Sequence, residues 1–359
     1  MSAELDWQPS LLFTPPKAPP RAALLLASGF SVQYRALRAV AAVVPRVIVA
    51  GTGSARLLTW SRYGRRYHAL PEGAFQTAAS LEQIEAICVE HGIDLIVPAD
   101  GLTTRYLAIE RRRILRACFP TPGPEDFDRL DDKWRFYCLC TALGVPAPKT
   151  RRFAARGELE AFLARNPNSM PGMAKPLNLY GGLGILRIGS HADLAEIDYA
   201  PILFQAFIPG EDIDISVIAR DGLVERYCIY RKAGGRVHYI ENAALIGYVE
   251  IIVARLGVSG VLNFGARIDA GGEVWMTECN PRFWHSMDFA QIAGMNFFAE
   301  TLWPGKGPRN PLAGRSVGTL HGIARRALRL RPPGHMDLRM LAHTLRDPLP
   351  RLFGYSDFG

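Results

Sequence analysis

Three stretches of the chain combine residue types and spacing that suit phosphate chemistry. Met173-Ala174-Lys175-Pro176 leads into Tyr180-Gly181-Gly182-Leu183-Gly184 and returns as Ile185-Leu186-Arg187-Ile188. An apolar strand that delivers a lysine into a glycine-rich turn lets backbone N–H groups approach phosphate oxygens, with the ammonium as counter-charge. No GK[ST] opens a helix, so this is not a Walker loop, and a plain hairpin turn reads equally well from these residues alone. Next, Phe204-Gln205-Ala206-Phe207-Ile208 runs into Pro209-Gly210, followed by Glu211-Asp212-Ile213-Asp214. A strand broken by Pro-Gly frees its last main-chain groups for a donor–acceptor edge such as that of adenine, and a nearby carboxylate suits ribose hydroxyls. The third stretch is Val274-Trp275-Met276-Thr277-Glu278-Cys279-Asn280-Pro281-Arg282. Glu278 and Asn280 share one strand face, and oxygen ligands so placed suit Mg²⁺. Arg282 reaches the same space and could hold a phosphoryl or carboxylate group. A strand end with polar caps is the plain alternative.

The elements that must position these groups follow from apolar patterning. Ala22 to Ala27 reads as a buried strand, Val32 to Val44 as a helix and Arg46 to Gly51 as a second strand. Leu81 to His91 is a helix, Asp94 to Ala99 a strand and Leu102 to Ala117 a further helix, stopped by Pro120, Pro122 and Pro124. That alternation predicts a parallel sheet with covering helices. Gly51-Thr52-Gly53 lacks the dinucleotide spacing and reads as a tight turn. From Asp131 the texture changes: a helix over 133–143 ends at Gly144, and a helix over 157–165 precedes the strand pair around 173–188. Strands are expected at 202–208, 212–220, 223–230, 260–268 and 273–279, and the tail carries an Arg-rich helix and a helical stretch near 336–346.

Composition removes several function classes. The chain has 359 residues, 48% hydrophobic and 21% charged, which is ordinary globular material and long enough for two or three domains. The net charge is +8, from 42 basic and 34 acidic residues, but only six of the basic residues are lysines. The densest basic groups, around 111–116 and 325–331, have helical spacing without interleaved aromatics, so nucleic acid is not expected as a partner. No apolar run is long enough for a membrane span, and no apolar signal core follows Met1, so a cytoplasmic location without membrane partners is expected. The six cysteines form no CxxC pair and read as free thiols.

In this order the motifs resemble the ATP-grasp family. Asp132-Lys133 followed by Gly144-Val145-Pro146-Ala147-Pro148 is similar to that family's entry helix, whose lysine contacts ATP phosphates. Lys175 with Gly181, Gly182 and Gly184 resembles the second lysine and the phosphate-covering loop. Gln205, Phe207 and Ile208 resemble the adenine hinge, with Asp212 and Asp214 in the ribose region. Glu278, Asn280 and Arg282 resemble the metal-and-phosphate end, and Lys232 is a further candidate for a γ-phosphate contact. The resemblance implies an α/β chain of the α+β ATP-grasp type: an extended arm over 1–20, a small parallel α/β domain over 21–125, an ATP-grasp module over 126–305 and a helical tail over 306–359. Within the module a lid lobe over 146–205 and a core lobe over 206–305 are expected.

One departure stands out. Where members place a second metal-binding acid, this chain has Gly265 in Leu262-Asn263-Phe264-Gly265-Ala266-Arg267. Asn263 or a water is the substitute to look for, and Arg267, on the same face as Gly265, is expected to offset the lost metal charge. The resemblance implies a ligase using ATP and Mg²⁺ (or Mn²⁺), with Lys175, Arg267 and Arg282 as catalytic groups. The γ-phosphoryl would pass to a carboxylate, and an amine would attack the acyl phosphate. A small-molecule carboxylate and amine are the expected partners, bound near Asp100 to Thr103, Arg267 and Trp284-His285-Ser286. His285 is the histidine to watch, and a homodimer fits the family pattern. The alternatives are a bicarbonate-using carboxylase, a degenerate ATP-binding regulatory module, for which Gly265 is the main argument, and a basic interaction protein whose motif matches are coincidence.

Overall fold

The computed structural model describes residues 19–177 and 183–350. Gly181, Gly182, the first part of the arm and the last residues of the tail lie outside the described residues. The N-terminal unit contains β1 (Ala22–Ala27), α1 (Ser31–Ala41), β2 (Arg46–Gly51), β3 (Tyr67–Ala69), α2 (Leu81–His91), β4 (Leu95–Pro98), α3 (Gly101–Glu110) and β5 (Ala117–Cys118). Its five strands are parallel in the order β3-β2-β1-β4-β5. All six β1 residues are buried, as expected for a central strand covered on both faces. The helix expected over 102–117 stops at Glu110, because the chain turns and Ala117–Cys118 pairs with β4 as a short edge strand.

After α4 (Pro124–Asp131) and α5 (Lys133–Ala142), a small lobe is formed by β6 (Thr150–Phe153), α6 (Arg156–Arg165), β7 (Gly172–Pro176), β8 (Leu186–Ile188) and β9 (Ile202–Ala206). Its strand order is β6-β9-β7-β8, all antiparallel. Gly172 is required there: a Cβ would fall 2.1 Å from the Phe204 ring. The main sheet follows as β10 (Gly210–Arg220), β11 (Leu223–Ala233), β12 (Arg236–Ile240), α7 (Ala243–Leu256), β13 (Gly260–Asp269) and β14 (Val274–Asn280). α8 (Met287–Ala293), α9 (Phe297–Leu302), β15 (Ser316–Gly318), α10 (Leu320–Ala327) and α11 (His335–Leu345) complete the chain. The main sheet runs β14-β13-β10-β11-β12-β15. The tail, expected to be helical, therefore also donates an edge strand to this sheet.

One face of the main sheet packs on α5 and α7, with Phe136, Val249 and Ile252 against Ile215, Leu262 and Phe264. The other meets α1, α8 and α9, so a single apolar core joins the N-terminal unit to the main sheet through Leu37, Val40, Phe289 and Phe297. Buried charge pairs close the seam. Burial pushes the Asp288 carboxyl upward, but Arg38, His343 and Arg35 more than offset this and hold it below the usual carboxylate range. Asp347 accepts hydrogen bonds from the Tyr34 hydroxyl at 2.9 Å and the Arg62 backbone N–H at 3.0 Å. Asp337 at the start of α11 is 1% exposed and bridges Arg236 and Arg326. Among the described residues no helix is long and apolar enough to cross a membrane.

Removing one partner of a buried ion group leaves the others unpaired. Asp337→Ala is expected to cost about 3 kcal/mol, read as a lower midpoint in thermal and urea unfolding. A change within about 0.5 kcal/mol, the range of ordinary surface substitutions, would contradict a buried ion group joining the tail to the main sheet.

Candidate nucleotide and acid site

The two lysines singled out by their scarcity come from different lobes and are both withdrawn from water: Lys133 is 7% exposed and Lys175 is 8% exposed. Lys133 opens α5 just after Asp132, whose side chain caps the helix by accepting from the Arg135 N–H at 2.8 Å. Its ammonium lies 4.0 Å from the Glu278 carboxylate. Lys175 lies on β7, where its ammonium donates to the Gln205 side-chain carbonyl at 2.8 Å. Gln205 in turn donates to the Thr150 hydroxyl at 3.1 Å, which donates to the Pro148 carbonyl at 2.7 Å. Burial lowers the pKa of Lys175, with Glu278 the largest opposing influence. The site thus presents desolvated cations from both lobes, with Glu278 acting on each.

β9 leaves its ladder after Ala206, and Phe207 to Pro209 cross to the main sheet as a hinge. Arg267 braces that hinge: Nε donates to the Ile208 carbonyl at 2.7 Å, one terminal nitrogen to the Gly210 carbonyl at 2.6 Å, and the other to Asp212. Arg187 and Arg267 both lie over the Phe207 ring, at 4.7 and 5.5 Å from its centroid. Arg267, expected to offset a missing metal charge, is a hinge brace here because its donors are already committed.

β14 carries a bulge at the metal end. The register shifts between Gly265 and Ala266, so Trp275 lies opposite Arg267 whereas Glu278 lies opposite Gly265 and Asn280 opposite Asn263. The extra residue re-aims the strand end, so that Glu278 and Asn280 share the face of Gly265. Asn263, the substitute to look for, is held by its amide nitrogen, which donates to the Ser216 and Tyr230 hydroxyls at 3.0 and 3.3 Å. Asp214 lies directly across Gly265 on the neighbouring strand. Burial pushes its carboxyl up to about 7; Lys232 pulls the other way, and Glu278 and Asp212 push further up. A Cβ on Gly265 would meet the Glu278 Cγ at 3.2 Å and the Thr277 Oγ1 at 3.3 Å, so an acid at 265 would crowd Glu278. Carboxylate oxygens from Glu278 and Asp214 with the Asn280 amide oxygen form a hard donor set of the kind Mg²⁺ takes.

Arg282 donates to the Asn280 side chain at 2.7 Å and to the Phe283 carbonyl at 2.9 Å, so both donors hold the turn after β14. Gly184, at φ +70°, closes against Pro176, to which a Cβ would come within 3.2 Å.

Beside Lys133, Glu278, Asn280 and Arg282 lies a cavity of about 750 Å³ whose far wall belongs to the N-terminal unit. That wall is formed by Ser28 to Gln33 after β1 and by Asp100 to Leu102 after β4. These are the carboxyl ends of neighbouring strands from which the order departs in both directions, the crevice where parallel α/β sheets hold ligands. Asp100 sets its shape by accepting from the Ser28 N–H at 2.8 Å, the Gln33 amide at 2.9 Å and the Thr103 N–H at 3.0 Å. Asp100 to Leu102 and His285 line this cavity as the sequence suggested. Trp284 is instead packed in the core, and Ser286 is hydrogen-bonded to the Tyr230 hydroxyl at 2.5 Å. Ser28 to Gln33, Arg105 and Asp131 were missed, since their role depends on strand order; the Ser28-Gly29 turn after a buried strand was the available signal.

His285 Nδ1 lies 3.4 Å from the Ser31 hydroxyl. Burial lowers its pKa to about 4, helped by Arg35, Arg282 and Lys232. The unfolded chain therefore binds more protons between about pH 4 and 6.5, and stability attached to this imidazole is lost as pH falls through that window. His285→Gln is expected to narrow the fall in thermal midpoint between pH 7.5 and 4.5; an unchanged difference would show that His285 titrates normally.

A family model described as "ATP-grasp in the biosynthetic pathway with Ter operon" matches residues 198–306. The carbamoyl phosphate synthase large chain of Methanosarcina mazei is 25% identical over 230 residues, covering 55% of this chain and 21% of that one. This chain thus spans about a fifth of that relative's length. Among solved structures, the ADP complex of purK, N5-carboxyaminoimidazole ribonucleotide synthetase, aligns with a TM-score of 0.66 at 16% identity, covering 88% of this chain and 87% of that one. The L-amino acid ligase from Bacillus licheniformis aligns with a TM-score of 0.61 at 16% identity, covering 84% and 79%. A parallel α/β unit, a four-stranded lobe and an antiparallel main sheet give the chain the fold of these structures, and its residues 198–306 are similar to an ATP-grasp module.

Proposed function

We propose that the protein is an ATP-dependent carboxylate–amine ligase. The observation that carries this reading is a shared wall: Lys133, Glu278, Asn280 and Arg282 line the 750 Å³ cavity, and Glu278 acts on the lysines of both lobes. A phosphoryl group held in the cleft would meet an acid held in the cavity without crossing solvent. In the first step a carboxylate oxygen bonds to the γ-phosphorus as the bond to ADP breaks. In the second, the amine nitrogen bonds to the acyl carbon, phosphate leaves, and the nitrogen loses a proton.

The protein's part is position and charge. Lys133 and Lys175 take the phosphate oxygens, and Gln205 keeps Lys175 aimed. The main chain at Phe207 and Ile208 takes the adenine edge, with Asp212 beside the ribose. A magnesium ion, when bound, neutralises phosphate charge, and Glu278, Asn280 and Asp214 are the groups that fit it. Lys232 pairs with Asp214 and Arg282 holds the β14 turn. His285, neutral at working pH, accepts a hydrogen bond from the incoming amine without adding charge.

Mg-ATP, hydroxylamine and pools of carboxylic acids provide the test, because hydroxylamine replaces the unknown amine. Hydroxamate and ADP are expected to appear together with one pool, and Lys175→Met should lower both rates by about 100-fold or more with the fold intact. ATP turnover that is strictly bicarbonate-dependent, without hydroxamate, would favour a second reading. In it bicarbonate is the acid, which the carbamoyl and carboxyamino products named for the relative and the neighbour support. Nucleotide binding without turnover under either condition would overturn both.

If Gly265 is open space between two carboxylates rather than a lost ligand, filling it is harmful. Gly265→Asp is expected to reduce ATP turnover by at least about tenfold; increased turnover would mean that the glycine marks a missing acid.

A further inference from the structure

Outside the cleft and cavity, His68 on the edge strand β3 and Glu90-His91 at the end of α2 bring three ligand-bearing side chains together. The two Nε2 atoms are 2.7 Å apart, and the Glu90 carboxylate lies 3.5 Å from His91 Nε2. All three donor atoms fall within 4.8 Å of one another. We propose that His68, His91 and Glu90 form a binding site for a divalent first-row transition cation, with Zn²⁺ as the ion it takes.

In a tetrahedral zinc site with bonds of about 2.0–2.2 Å, ligand atoms lie about 3.3 Å apart. The carboxylate–imidazole separation already matches that edge. The imidazole pair must open by about 0.6 Å, within the reach of side chains that are both partly exposed. The two rings meet at 62° instead of stacking, with their Nε2 atoms in contact. Two imidazoles and one carboxylate favour a borderline cation over Mg²⁺, which takes oxygen ligands. The site is therefore chemically distinct from the Glu278 end and shares no residue with it. The ion would tie the free edge of the parallel sheet to α2, whose last carbonyl, that of His91, already accepts from Arg46 at 2.7 Å.

The test uses the full chain freed of metal by chelation, titrated calorimetrically with zinc in a large excess of Mg²⁺. One equivalent of zinc is expected to bind and to raise the thermal midpoint. His68→Ala and His91→Ala should each weaken binding by at least about tenfold, the smallest loss seen when even an outer-sphere partner of a metal ligand is removed. Cys138→Ser, which removes the exposed thiol, should leave it unchanged. Zinc-edge X-ray absorption of the wild type should show nitrogen and oxygen ligands and no sulfur. Should an alanine variant fail to fold, Glu90→Gln and the absorption spectrum decide. Absence of stoichiometric binding, binding that survives the histidine substitutions, or a sulfur ligand would overturn the site and leave a simple histidine–histidine hydrogen bond.

Discussion

The structure turns on the cost of holding two ammonium groups away from water beside the Glu278 carboxylate. Lys133 and Lys175 reach the same space from different lobes, and Glu278 opposes both. Burying a charge is expensive, and Gln205 and Glu278 are among the groups that offset that cost. Cations gathered from both lobes suit a ligand with several negative oxygens. The hinge brace of Arg267, the Thr150–Gln205 relay and the packing of Gly172 on Phe204 all serve to keep Lys175 where Lys133 and Glu278 can share that ligand.

The main sheet solves a second problem, that of placing acid groups together without forcing them into contact. The β14 bulge turns Glu278 onto the face of Gly265, and Asp214 approaches from the other side of the same glycine. The absence of a side chain at Gly265 leaves room between them. Burial raises the Asp214 carboxyl, and repulsion from Glu278 adds to it. A divalent cation bound between such groups would remove that repulsion.

Much of this was legible in the sequence where local pattern decides structure. The edges of β2 and α2 follow from apolar runs ending at turn residues, and the lysine, hinge and Glu-x-Asn positions follow from side-chain chemistry and order. Tertiary pairing decided the rest. α7 was not anticipated, because its apolar run reads ambiguously, although Asn242 caps Leu245 and Gly257 closes the helix at φ +63°. β12 and β15 are short strands whose existence depends on neighbours far along the chain. Asp214 could be placed near the nucleotide but not opposite Gly265, since register across strands is not written in either strand alone. The wall formed by Ser28 to Gln33 was hidden for the same reason.

The central claim is that a nucleotide polyphosphate binds on the lysines of both lobes, and a crystal structure with a non-hydrolysable ATP analogue and Mg²⁺ tests it most directly. The account predicts adenine against Phe207 and Ile208, phosphates on Lys133 and Lys175, and the metal on Glu278 and Asn280 with Asp214 facing it across Gly265. The 750 Å³ cavity beneath α1 should remain open to an acid. A nucleotide seated in that cavity, or phosphates away from both lysines, would contradict the account.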